Sequence, residues 1–205
     1  MTAGPVRLAF DGRGVDGGLY LTVDHWAQHL PPVLRSAVAA FSAYGLGLLA
    51  VLMLAAWWRA RRGDGTAMAR ALAVPLCVVA AFAADTLLKE VLREPRPCQV
   101  LPAAPTLEAC PVPGDWSLPS NHTVIVFAGA AALWLVDRRI GALALVLAAA
   151  MGVSRVLVGV HYPHDVALGA VVGVAAGYGL GRLAGYGGGL VDRVRSGPLH
   201  RWLAT

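Results

Sequence analysis

Charge is what this chain has least of. Asp, Glu, Lys and Arg make up 14% of its 205 residues, against about 25% in an ordinary soluble domain. So little charge cannot cover a water-facing surface, which excludes an ordinary soluble globule. The apolar share of 57% excludes intrinsic disorder as well. Lysine is almost missing: Lys89 stands alone among the 17 basic residues, and the rest are arginine. An arginine bias of that size reads as coding composition, and it makes the lone lysine notable. Cysteine is scarce, and Cys77, Cys98 and Cys110 supply no metal framework. No stretch alternates polar and apolar residues with period two, which disfavours a membrane barrel. The N-terminus lacks a charged head followed by an apolar core and a small-residue cleavage site, so no cleavable signal peptide is expected.

What is present is apolar sequence in helix-length runs. A membrane helix needs about 20 mostly apolar residues. Five stretches qualify, some only with their polar ends: 36–58, 67–88, 119–136, 140–160 and 165–183. The expectation is an all-α integral membrane protein, a bundle of about five transmembrane helices. The 24 glycines suit close helix approach in lipid. Residues 19–30 are too short to span and read as an amphipathic helix in the interface, or as a frayed tail. The chain then divides into an N-terminal segment 1–32, a membrane-embedded domain 33–184 and a flexible cytoplasmic tail 185–205.

The net charge of +5 points to membrane orientation rather than to nucleic acid. Arg59, Arg61, Arg62 and Arg70 flank the first loop, and Arg138 and Arg139 form the third. Arg182, Arg193, Arg195 and Arg201 follow the last span. Alternation puts all three groups on one side, which the excess of Arg makes cytoplasmic. The N-terminus, the loop 93–118 and the segment around His161 then lie outside. That loop holds six prolines, which stiffen it. Cys98 and Cys110 lie in it on the side where disulfides persist, and both a bridge and two free thiols are open.

Ionisable residues in spans mark function, and here they gather at the outer level. Lys89 and Arg96 lie at and beyond the end of the second span. Ser120, Asn121 and His122 open the third. Ser154 and Arg155 lie near the end of the fourth, and His161 and Asp165 precede the fifth. Three cations, two of them forked guanidiniums, suit phosphate oxygens. The amides of Asn121 and His122 at a helix start form an anion site. Asp165, four residues after His161, can hold that imidazole in one tautomer. Two histidines, three cations and one carboxylate make a poor metal site. They suit phosphoryl transfer in which one histidine attacks phosphorus and the other protonates the leaving oxygen.

Each residue also has a plainer reading. Lys89 snorkels to the interface, or pairs with Asp85 one turn before it. Arg93 and Glu94 are rim charges, Arg96 is a solvated loop residue, and Ser120 is only an N-cap. His161 and Asp165 form a structural pair, and His164 is an interface residue. None of these explains why the set converges on one face.

The motifs resemble those of a known family. Lys89 through Arg96-Pro97 is similar to its first motif, Lys, six residues, Arg-Pro. Pro119-Ser120-Asn121-His122 is similar to its Pro-Ser-Gly-His. Ser154-Arg155, five residues, His161, three residues, Asp165 is similar to its third. This is the type 2 phosphatidic acid phosphatase superfamily. Within it the chain resembles bacterial undecaprenyl-diphosphate phosphatases of the bacitracin-resistance type. The resemblance implies His161 as nucleophile, Asp165 as its orienting carboxylate and His122 as general acid. It implies Lys89, Arg96, Ser120, Asn121 and Arg155 as the phosphoryl-binding set, with no metal and no cofactor. The implied partners are the bilayer of a bacterial plasma membrane and a polyprenyl diphosphate or another phospholipid, with the oligomeric state left open. Asn121 departs from the family glycine. Asn tolerates positive φ better than most residues, so the departure bears on pocket width. Other lipid phosphates (phosphatidylglycerol phosphate, phosphatidate, a phosphorylated prenyl sugar), phosphotransfer between lipids, and a non-catalytic scaffold are the competing readings.

Overall fold

The computed structural model describes residues 11–101 and 106–197, whose regular structure is helical with no strand among them. Helix α1 spans Arg13–Gln28, α2 Pro32–Tyr44, α3 Leu46–Ala60, α4 Gly65–Leu92 and α5 Pro97–Val100. Helix α6 follows at Asn121–Val136, then α7 at Arg138–Leu157, α8 at Pro163–Ala184 and, after a 3₁₀ turn, α9 at Gly188–Arg195.

Local chemistry sets the boundaries. Pro32 and Pro163 occupy the first turns of α2 and α8, where a missing N–H costs nothing. Asp64 caps α4 by accepting from Ala67 N at 2.7 Å. Asp137 ends α6 and caps α7 through Arg139 N and Ile140 N. The bonds from the Ile140 and Arg139 amides, with the charges of Arg59 and Arg139, hold the Asp137 carboxyl below the usual range.

Three helical stretches, within Gly65–Val100, Arg138–Leu157 and Pro163–Arg195, are long and apolar enough to cross a membrane. The stretch read as one first span is two helices, α2 and α3, bent by 52°. The break falls at Gly45, where a Cβ would press on Met151 of α7 and on the Phe41 carbonyl. A glycine here lets the two segments lean on α7 at different angles. Helix α6 has 16 residues, about 24 Å at 1.5 Å per residue.

Helix α6 is the centre of the bundle, wrapped by α4, α7 and α8. Val124, Val126, Ala128, Ala130 and Leu133 are buried along it. Gly169, Gly173, Gly177 and Gly181 recur once per turn on α8 and face it. A Cβ at Gly177 would strike the Ala128 carbonyl. Small residues thus let the two backbones touch, as in membrane bundles generally. Cys77 lies in the core beside Val74 and Leu133, as a small packing residue. The outer faces are apolar: Val51, Leu54, Leu76, Leu87, Leu143, Val146 and Val171 are all exposed. That inverts the rule for water-soluble domains.

Two end segments differ from expectation. The N-terminal helix starts at Arg13 rather than at residue 19, because Gly14, Gly17 and Gly18 hide its periodicity. It is not a free interfacial helix either: Tyr20 and Ala27 are buried, and the Tyr20 hydroxyl donates to Gly159 O at 2.9 Å. The segment read as a flexible tail is helical to Arg195. Val191 packs near Met68, and Arg195 donates to the Gly63 and Ala60 carbonyls that end α3. Cations satisfying a helix C-terminus account for this order. The rest of that segment, 198–205, lies outside the described residues, as do 1–10.

Candidate active site

At one end of the bundle, α4 and α7 finish, α6 and α8 begin, and the proline-rich segment folds over them. His161 follows Gly159, whose φ of +84° is open to glycine at little cost. That turn directs the imidazole inward, and it is 2% exposed. Its Nδ1 lies 3.0 Å from Asp165 Oδ2. The same oxygen accepts from Tyr162 N at 2.8 Å and from Ser117 Oγ. An ionised Asp165 makes Nδ1 the protonated nitrogen and leaves the lone pair on Nε2. Nε2 faces Arg96 Nη1 at 2.9 Å. Burial, then the charges of Arg96, Lys89, Arg155 and His122, hold the His161 imidazole well below its usual 6.5. The ring is therefore neutral in a cationic pocket.

The four charges acting on His161 come from four segments, so the structure brings the candidate set together. Lys89 is 6% exposed and donates to the Trp116 and Ser117 carbonyls. It neither snorkels nor bonds to Asp85, whose buried carboxylate has no hydrogen-bond partner among the described residues. Arg96 is 4% exposed, not a solvated loop residue. It donates to Asp115 O and Oδ1 at 2.9 Å each and to Val160 O at 3.1 Å. Arg155 donates to both Glu108 oxygens, at 3.2 and 2.9 Å, and to Ser42 Oγ of α2.

Ser120 is buried at the start of α6. Its N–H donates to Asp165 O at 3.2 Å, and its Oγ accepts from Thr123. It makes no side-chain cap, so the plain N-cap reading fails and the first-turn amides of α6 stay open to an anion. Asn121 and His122 are half-buried there, and the Asn121 Oδ1 has no partner among the described residues.

Several participants escaped sequence reading. Ser117, Asp115 and Glu108 lie in a loop without motif. Ser42 sits in an apolar run. Glu94, read as a rim charge, is fully buried and accepts from His164 Nε2 at 3.0 Å. His164, read as an interface residue, bonds Asp16 as well. No sequence signal marks these, because each depends on which loop folds over which helix end. Cys98 and Cys110 form a disulfide with Cα atoms 6.0 Å apart, which ties α5 to the loop carrying Glu108.

Glu94, His164 and Asp165 bring ligand-type atoms within 4.8 Å of one another. The His164 ring, however, faces carboxylates from both nitrogens, Asp16 on Nδ1 and Glu94 on Nε2. A ring that donates twice has no lone pair for a metal.

The chain is similar to known proteins. The sequence profile described as PAP2 superfamily matches residues 70–186. The chain is 50% identical to a bacitracin transport permease protein BcrC of Bacillus licheniformis over 60 residues, 29% of this chain and 30% of that one. The match therefore spans less than a third of that relative's length. It is 30% identical to the undecaprenyl-diphosphatase BcrC of Bacillus subtilis (strain 168), over 75% of this chain and 77% of the relative. Among solved structures, LpxE of Aquifex aeolicus superposes with a TM-score of 0.60 at 22% identity, covering 80% of this chain and 92% of that one.

Proposed function

The chain belongs to the PAP2 superfamily, and on that premise we propose that it hydrolyses a polyprenyl diphosphate, undecaprenyl diphosphate foremost, to the monophosphate. The observation that carries this reading is the His161 ring: Nδ1 is locked on Asp165 and Nε2 points among buried cations.

The Nε2 lone pair attacks the terminal phosphorus. The bond from that phosphorus to the bridging oxygen breaks, and polyprenyl phosphate leaves with a proton from His122. A phosphohistidine remains. Water then attacks it, His122 takes the water proton, and inorganic phosphate and neutral His161 are regenerated. Asp165 stabilises the positive charge that the ring acquires. Lys89, Arg96, Arg155, Ser120 and the Asn121 amide bind the phosphoryl oxygens, whose charge grows in the transition state. The substrate phosphoryl group displaces Glu108 from Arg155 and takes the place of Arg96 Nη1 beside Nε2. The step uses no metal and no cofactor.

In this reading the chain crosses the bacterial plasma membrane five times, with the α2–α3 pair, α4, α6, α7 and α8 as spans. Helix α1 lies at the outer interface, the site faces outward and the C-terminus is cytoplasmic. The similarity to an undecaprenyl-diphosphatase supports the substrate class, and the outer-face disulfide supports the orientation.

The test is phosphate release by purified protein from undecaprenyl diphosphate in EDTA, with phosphatidate and phosphatidylglycerol phosphate as competitors and His161→Ala in parallel. Release that favours the prenyl diphosphate and vanishes in the variant is expected. Preference for another lipid overturns the substrate and keeps the mechanism. Equal activity of variant and wild type overturns the mechanism.

A further inference from the structure

Behind His161 and Asp165 lies a second layer of charge that the reaction does not use. Glu94 and Asp165 are both fully buried. Two neighbouring buried carboxylates cannot both stay ionised without a cation between them; one takes a proton instead. The residue between them is His164. Its Nε2 lies 3.0 and 3.2 Å from the Glu94 oxygens and 3.5 Å from Asp165 Oδ1. On the other side, Asp16 of α1 holds the ring and the backbone together: Oδ1 is 2.7 Å from Nδ1, and Oδ2 accepts the His164 N–H at 2.8 Å. With carboxylates on both nitrogens, the ring is an imidazolium. Tyr162 stacks on it, with centroids 5.2 Å apart and planes at 20°.

Helix α1 is shaped for this contact. Asp16 interrupts its helical dihedrals at φ −144°, ψ 25°, at the point where the side chain reaches His164. Gly12 sits directly over the pair, where any Cβ would overlap Glu94 and crowd His164.

We infer that His164 is a positioning residue: clamped between Asp16 and Glu94, it keeps Asp165 ionised, so that Asp165 accepts the Nδ1 proton of His161 and α1 becomes part of the active site. The inference rests on the phosphohistidine reading above. If His164 were neutral, a proton would settle on Glu94 or Asp165, and a protonated Asp165 would no longer stabilise positive charge on the His161 ring. The groups facing this cluster are Asp16 from α1, Lys89 from α4, Glu94 and Arg96 from the segment after it, and Ser117 from the loop. His161 and Tyr162 face it from the turn before α8. Among these, His164 is the cation placed against both carboxylates.

The experiment is kcat and KM against pH for the full chain in detergent, on the lipid that it hydrolyses, with wild type, His164→Gln, Asp16→Asn and the double variant His164→Gln/Glu94→Gln. For His164→Gln, kcat falls at least about tenfold while KM holds within about twofold, and the acid limb moves to higher pH. Removing the unbalanced carboxylate in the double variant returns the limb and restores kcat to within about threefold of wild type. Asp16→Asn moves the limb the same way by less. A double variant no better than the single, or limbs that do not move in His164→Gln and Asp16→Asn, overturns the inference. Should His164→Gln not fold, Asp16→Asn still decides it. Histidine-selective ¹⁵N NMR at pH 7.5 decides it independently of turnover: a doubly protonated His164 ring is expected, and a neutral one overturns the clamp. Loss of all activity in His161→Ala together with failed rescue sinks this inference alone; retained activity in His161→Ala sinks the phosphatase mechanism instead.

Discussion

A histidine attacks phosphorus only when its attacking nitrogen carries no proton. For His161 burial and the surrounding cations favour the neutral ring, holding it well below 6.5. The sign is therefore fixed. The neutral ring, the form that the proposed attack requires, is present above that depressed value and is lost only as pH falls through it. The acid limb of kcat/KM is expected below pH 6.5, and a limb centred above it would show that the pocket does not depress His161. Ser117 tests the carboxylate partner. Its hydroxyl donates to Asp165 Oδ2, the oxygen that also meets His161. A hydrogen bond to a charged group contributes about 1.5–3 kcal/mol. Ser117→Ala is expected to lower kcat by about tenfold or more, with KM nearly unchanged. An equal rise in KM would instead make Ser117 a substrate contact.

Elements explain how much the sequence discloses. The helix ends that deliver Lys89, Arg155 and Asp165 are legible, because each charge interrupts or borders an apolar run. The α8 glycine stripe is legible only as glycine abundance, since its partner α6 is not written in it. The break at Gly45 is not legible, because 36–58 is apolar throughout and the bend depends on Met151 from another helix. Least legible is the outer loop, whose placement over the site depends on the Cys98–Cys110 bridge and on where Arg155 ends up. That loop carries its own prediction. Glu108 occupies the Arg155 guanidinium, to which the proposed mechanism assigns a phosphoryl oxygen, at 2.9 Å with 24% of its side chain exposed. An anion must displace it, so the pairing opposes binding. Glu108→Gln is expected to lower the inhibition constant of vanadate or inorganic phosphate severalfold, because the neutral amide competes less for Arg155. An unchanged or weaker inhibition would mean that Glu108 organises Arg155 rather than blocking it.

The whole molecule has two unlike ends. The end that holds His161 gathers buried charge under a disulfide-tied loop. The far end is rimmed with arginine: Arg70, Arg138 and Arg182 line a cavity of about 400 Å³ with Trp134 and Tyr178. Arg138 stacks near Trp134 and Arg182 near Tyr178, the aromatic–cation mixture expected where helices leave hydrocarbon. The short α6 adds a constraint. Its rise of about 24 Å falls short of the roughly 30 Å hydrocarbon layer. In the proposed topology the α6 N-terminus, with Ser120 and His122, lies beneath the outer surface, where a lipid diphosphate would reach His161 while its chain stays in the bilayer. Under the proposed five crossings the two ends of the chain lie on opposite sides, with the arginine-rich end inside. This arrangement can be read directly. In a variant with Cys77 replaced by Ala and the disulfide left intact, a single cysteine at Thr22 is expected to react with a membrane-impermeant maleimide in intact cells. A cysteine at Gly189, where a side chain would meet open space, is expected to react only after permeabilisation. Labelling of both in intact cells would overturn the placement of the two ends of the chain on opposite sides, because α1 packs at the His161 end and α9 at the arginine-rich end. Labelling at Gly189 alone in intact cells would turn the site inward and remove the outer-leaflet substrate from the proposal.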